Sequence, residues 1–123
     1  MAGVVHVQWY ATVLRQEAFA AEVVYVAPLA LRYGATQYAV HRSRDDRYMI
    51  TQMAWFESKK DWYSYWEGVE MTEFRRRNMG HYQIPINYVW HDELVSGALG
   101  PEVPLEEAEP EPTPAAPAPN AVV

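Results

Sequence analysis

The sequence predicts an α+β fold of the ferredoxin-like kind, with elements in the order β-α-β-β-α-β and a four-stranded antiparallel sheet carrying both helices on one face. Three observations predict it. Four short segments are rich in β-branched and aromatic residues, two segments recur at helical spacing between them, and the whole set fits within about 95 residues, the size of one ordinary domain.

Residues 4 to 13 alternate, with Val5, Val7, Trp9, Ala11 and Val13 on one face and Val4, His6, Gln8, Tyr10 and Thr12 on the other. That is the period of a strand. Both faces are partly apolar, so both should be covered. In the next segment, Phe19, Val23, Val26, Ala30 and Tyr33 recur at helical spacing and Gly34 stands where a left-handed cap belongs. Pro28 removes a ladder donor, which predicts a kink or break near Val24 to Ala27. Thr36 to Arg42 and Tyr48 to Phe56 form a hairpin around the turn Ser43-Arg44-Asp45-Asp46. Ser58, with Asp61 three residues on, caps a second helix through Trp62, Tyr65, Trp66 and Val69. Gly68 interrupts it, the stretch from Met71 to Asn78 resumes it, and Gly80 ends it. Ile84 to His91 is the last strand, with Pro85 suited to an edge or a strand start.

Composition divides the chain into a domain over residues 1–97 and a tail over 98–123. Seven of the nine prolines follow Gly100, together with five glutamates, whereas every aromatic residue and all ten Lys and Arg precede it. Such a tail cannot bury enough apolar area to offset its ordering entropy, so disorder is expected. The sharper alternative is a docking peptide anchored by Val103 and Leu105 or by Val122 and Val123. The formal charge is −6, and most of it resides in the tail, which argues against nucleic-acid binding. No apolar run is long enough to span a membrane and no secretory signal is recognisable, so a cytoplasmic protein is expected. Without cysteine, disulfides, thiol catalysis and thiolate metal sites are excluded.

Helices on one side leave the other sheet face uncovered. Several strands of part-apolar surface exceed what a monomer normally exposes, which predicts a homodimer pressed together through that face.

The segment MAWFESKKDWYSYW resembles the dimeric α/β-barrel superfamily, and within it the antibiotic-biosynthesis-monooxygenase-like proteins. The likeness lies in a third strand ending in Trp55, the Glu57-Ser58 helix start, and Trp62 and Trp66 in the helix that follows. It covers roughly residues 4 to 95. The resemblance implies a dimeric barrel and, among other activities, cofactor-independent monooxygenation of phenols or quinols. Haem-degrading members would need a ligating His where this chain reads Thr72, Glu73, Phe74 and Arg75, so no haem is expected.

Cofactor-free oxygenation needs a base, a polar anchor for the oxygenated intermediate and walls that exclude water. His6 and His41 are the candidate bases, since histidine titrates near neutrality. Gln52, Asn87 and Tyr10 are candidate anchors, and Trp55, Trp62, Tyr65, Trp66 and Phe74 candidate walls for a small aromatic substrate. Such a site would occupy a cavity between helices and sheet. Each of these residues also has a plainer use, the aromatics as core and the polar residues as strand or interface partners. The four histidines lack metal-ligand spacing, and adjacent His91, Asp92 and Glu93 on a strand point to opposite faces, so no metal is expected. The arginines at 75–77 and in the hairpin have acids nearby in sequence and read as a solvated face. The alternative to a small-molecule protein is a non-catalytic dimeric assembly module that recruits a partner through its tail.

Overall fold

The computed structural model describes residues 2–100, so the tail, and with it the docking-peptide expectation, lies outside the described residues. Strands β1 (Gly3–Tyr10), β2 (Ala35–Arg42), β3 (Met49–Phe56) and β4 (Asn87–Asp92) form one antiparallel sheet in the order β2-β3-β1-β4. Helix α1 (Gln16–Val26) lies between β1 and β2, and α2 (Lys59–Trp66) and α3 (Val69–Arg77) lie between β3 and β4. This is the ferredoxin-like α+β arrangement that the element order predicts. Among the described residues no helix is long and apolar enough to cross a membrane.

Local chemistry sets the boundaries. The break foreseen at Pro28 is a change of helix type: α1 stops at Val26, and a 3-10 segment, Ala27–Tyr33, carries the chain to Gly34 at φ 102°, a conformation that favours glycine. The Ser43 hydroxyl accepts the amides of Asp45 and Asp46 at 3.1 and 3.0 Å, closing the hairpin turn with a side chain. The Ser58 hydroxyl accepts the Asp61 amide at 3.2 Å and caps α2. Two strands are shorter than their sequence pattern. β1 ends at Tyr10, because the chain turns through Leu14 at φ 67°, and β4 starts only at Asn87, beyond Pro85, which has no amide to donate.

The core fills the space between sheet and helices. Val5, Val7 and Trp9 of β1 and Ile50, Ala54 and Phe56 of β3 face Phe19 and Val23 of α1, Trp62, Tyr65 and Trp66 of α2, and Met71 and Phe74 of α3. Trp9 is the hub: the rings of Phe19, Phe74 and Tyr82 meet it edge-on at 5.6, 5.5 and 5.2 Å. Edge-to-face contacts of this kind add about 0.5–1.5 kcal/mol each beyond the area they bury.

The opposite face is different. There Val4 lies across from Trp55, His6 from Met53, Gln8 from Thr51 and Tyr10 from Met49, with His6 also beside Val89 and Val4 beside His91. No described helix covers these residues, and most are half-buried or exposed.

Candidate functional site

Strand alternation divides the predicted site residues between two faces, so they do not share one cavity. Gln52, Trp62, Tyr65, Trp66 and Phe74 belong to the helix side, whereas His6, His41, Asn87, Tyr10 and Trp55 belong to the helix-free side. The pleat is the reason. Trp55 stands between Ala54 and Phe56, which both point inward, so its own ring must point away from Trp62 and Trp66. Of the four polar groups of which at least one was expected to point inward, Gln52 does so, whereas His6, His41 and Asn87 face the other side; the expected cavity itself is filled by the aromatic side chains.

Gln52 occupies the middle of an oriented relay. Its Oε1 accepts from Trp9 Nε1 at 3.0 Å, its Nε2 donates to the Tyr65 hydroxyl at 3.0 Å, and that hydroxyl donates to the Val26 carbonyl at 2.8 Å. Burial drives the Tyr65 hydroxyl well above the usual phenol range. Tyr65 is therefore a neutral donor and not a base.

A second aromatic cluster lies at the outer end of the same layer. The Trp62 and Trp66 rings approach to 5.1 Å, inclined by 32°, and Tyr88 of β4 packs on both at 5.6 and 5.3 Å. The Arg75 guanidinium lies 4.3 Å over the Trp66 ring. In this cluster two buried donors, Trp62 Nε1 and Arg75 Nη1, have no hydrogen-bond partner. Trp62 is 1% exposed, whereas Tyr88, the edge-strand side chain packed on both tryptophans, is 40% exposed. Phe74 and Tyr65 are fully buried behind this cluster.

On the helix-free face the His6 and His91 rings approach to 4.4 Å. Partial burial lowers the His6 pKa, and His91 and His41 lower it further. Tyr10 donates to the Met49 sulfur at 3.2 Å, and Trp55 Nε1 donates to Glu93 Oε1 at 2.6 Å. His41 and Asn87 are exposed.

Two surface pockets are also present. One, of about 300 Å³, lies at the end of β1 between Tyr10, Tyr48 and Gln83; the other, of about 240 Å³, lies between Leu29, Arg32, Glu70 and Arg77. Of the predicted residues only Tyr10 lines either; the α2 aromatics fill the space they were expected to enclose.

Arg75, Tyr88, Trp9 and His91 were not among the predicted site residues. Arg75 read as one of three charges on a solvated face, because the turn at Gly68 hides that it packs back on Trp66. Tyr88 and His91 have a readable signal, namely the alternation of β4, which assigns Tyr88 and Trp90 to one face and Asn87, Val89 and His91 to the other.

No protein-family model and no curated protein sequence matches the chain. Solved structures do. A candidate antibiotic biosynthesis monooxygenase from Nitrosomonas europaea superposes with a TM-score of 0.69 at 18% identity, over 76% of this chain and 90% of that one. PA3566 from Pseudomonas aeruginosa gives 0.68 at 16% identity, over 76% of this chain and 95% of that one. Rv0793 from Mycobacterium tuberculosis gives 0.69 at 11% identity, over 80% of this chain and all 100% of that one. The chain therefore shares the ferredoxin-like fold of antibiotic-biosynthesis-monooxygenase-like proteins.

Proposed function

We propose that this is a monooxygenase-like protein that binds a small, flat, largely apolar molecule bearing an oxygen acceptor, of phenol or quinol type, at the Trp62, Trp66, Tyr88 and Arg75 cluster. One observation carries the reading: two buried donors, Trp62 Nε1 and Arg75 Nη1, stand unpaired beside the same aromatic surface. Leaving a buried donor unpaired costs about 1–3 kcal/mol, which an acceptor on a ligand would recover. Paired tryptophans offer the flat apolar surface, and Tyr88 on its exposed edge strand is the element that gives way. A guanidinium beside the ring favours the ionised phenol, the electron-rich form of such a substrate. The candidate bases His6 and His41 lie on the other face, so in this reading the proton leaves to solvent and Arg75 holds the anion.

The test is quenching of tryptophan fluorescence by 2-naphthol and 1,4-naphthalenediol. Saturable binding is expected, weakened about tenfold or more in Arg75→Gln and partly restored in Arg75→Lys, which keeps the charge but not the planar stack. Absence of saturable binding, or equal affinity in all three proteins, removes the proposal.

The assembly belongs to the same reading. We propose that two copies pair through the helix-free sheet face. The support is electrostatic: among the described strand residues that point to this face there is no Lys, Arg, Asp or Glu. Arg42 points to the other side, onto Glu17 of α1 at 3.1 Å. In a chain with 21% charged residues, a strand surface without formal charge suits an equally uncharged surface, and its own copy supplies one.

A further inference from the structure

We infer that the paired assembly is opened by mild acid, because a proton on His6, at the centre of an uncharged contact face and 4.4 Å from the His91 ring, finds no carboxylate across from it on either neighbouring strand. The inference rests on pairing through the helix-free face, proposed above, and adds a property that pairing alone does not imply.

The three histidines occupy three different strands, β1, β2 and β4, yet strand alternation directs all of them to one face. His6 is central, on a strand flanked by β3 and β4. Its β3 partner is Met53 and its β4 partner is Val89, neither of which can accept or balance a proton. The titratable groups that face it are His91, whose ring lies 4.4 Å away, His41, and Tyr10 farther along β1. Glu93, an acid at the border of this surface, is engaged by the Trp55 indole at 2.6 Å. A proton on His6 therefore meets like charges and no carboxylate.

Burial lowers the His6 pKa from 6.5 already in one copy, and a second copy seated over it would remove more water. The separated chains would then bind protons more readily than the pair. Linkage makes the consequence directional: each proton taken up on separation weakens association about tenfold per pH unit in the titrating range. Only histidine among the side chains of this face changes charge between pH 5 and 8.

Analytical ultracentrifugation of the full chain at pH 8, 7, 6 and 5 in 0.15 M salt tests this, with far-UV circular dichroism recorded at each pH. The expected result is the mass of two copies at pH 8 and of one copy at pH 5, with the helical signal intact and a dissociation constant at least ~100-fold higher at pH 5. The double variant H6Q/H91Q keeps polarity and removes the ionisable pair at the centre of the face, leaving only His41 of β2, and it should remain paired at pH 5. Wild-type protein still paired at pH 5 overturns the inference and leaves the pairing intact. Equal separation of wild type and the double variant, or loss of the helical signal at the same pH, also overturns it. A single-copy mass at pH 8 overturns the pairing itself.

Discussion

The Gln52 carboxamide donates to the Tyr65 hydroxyl at 3.0 Å, tying the centre of the sheet to α2 inside an otherwise apolar core. Gln52 is 2% exposed, and the order of donors is fixed along the whole path from the Trp9 indole to the Val26 carbonyl. Every member is satisfied, the condition under which a buried polar network stabilises.

Gln52→Leu removes the acceptor of the Trp9 indole and the donor to Tyr65. The expected loss is about 1–3 kcal/mol, the cost of a buried donor left without a partner. In a domain of about 100 residues that lowers Tm by roughly 4–8 °C per kcal/mol. Urea denaturation checks it, and a change under ~0.5 kcal/mol would show that the relay is dispensable.

Gly68→Ala should destabilise the protein, because Gly68 is the N-cap of α3, where glycine is preferred over alanine, and because an added side chain there has no room. A Cβ at residue 68 would lie 2.7 Å from the Tyr33 hydroxyl and 2.8 Å from the Ser64 carbonyl oxygen, and a backbone oxygen cannot step aside. Tyr33→Phe/Gly68→Ala, in which the hydroxyl is gone, should recover only part of the loss. Full recovery would assign the whole clash to Tyr33.

Ser58→Ala removes the side-chain cap of α2 and is expected to cost about 1 kcal/mol. Ser58→Asp retains an acceptor and should be near neutral. Thermal unfolding of the two variants side by side separates capping from any other role of this position.

Stability should fall in two separate acid windows. His6 has a folded pKa below its ordinary 6.5, so the unfolded chain binds the proton first. Its share is fully present above about pH 6.5 and is lost as pH falls through the folded value. Glu17 and Glu22 are held below 4.5, first by hydrogen bonds from Arg47 and Arg77 respectively. Their contribution is present above 4.5 and is lost as pH falls further; both are largely exposed, so it is small. His6→Gln should flatten the upper window only. A pH series of denaturation midpoints with a single transition below pH 4.5 would contradict the assignment.

The fold was legible because its signals are local. Pro28 marks the end of α1, Ser58 marks the start of α2, and the turn at Ser43 to Asp46 marks the hairpin. Strand ends were overrun at Val13 and at Ile84, where apolar residues continue beyond the pairing and lie exposed. The site was less legible, since its partners meet across the sheet. Periodicity identifies Trp62 and Trp66 as neighbours, but nothing local to Arg75 or Tyr88 says that both close on them. Alternation within each strand is readable for His6 and for Gln52, but which face of β3 joins which face of β1 is fixed only by the register, His6 opposite Met53 and Val7 opposite Gln52.

The buried amide has a consequence for how the strands find one another. Sliding β3 by a single position past β1 would throw Gln52 out to the uncovered side and bring Thr51 or Met53 beneath the Trp9 indole. Met53 would leave that nitrogen with only a weak sulfur acceptor, and Thr51 is too short to bridge on to α2. The same slip would expose Ile50, Ala54 and Phe56, so the glutamine adds a polar penalty to the apolar one. One glutamine thus serves as a key that only the native alignment turns, discouraging mispaired sheets before the aromatic layer closes over them.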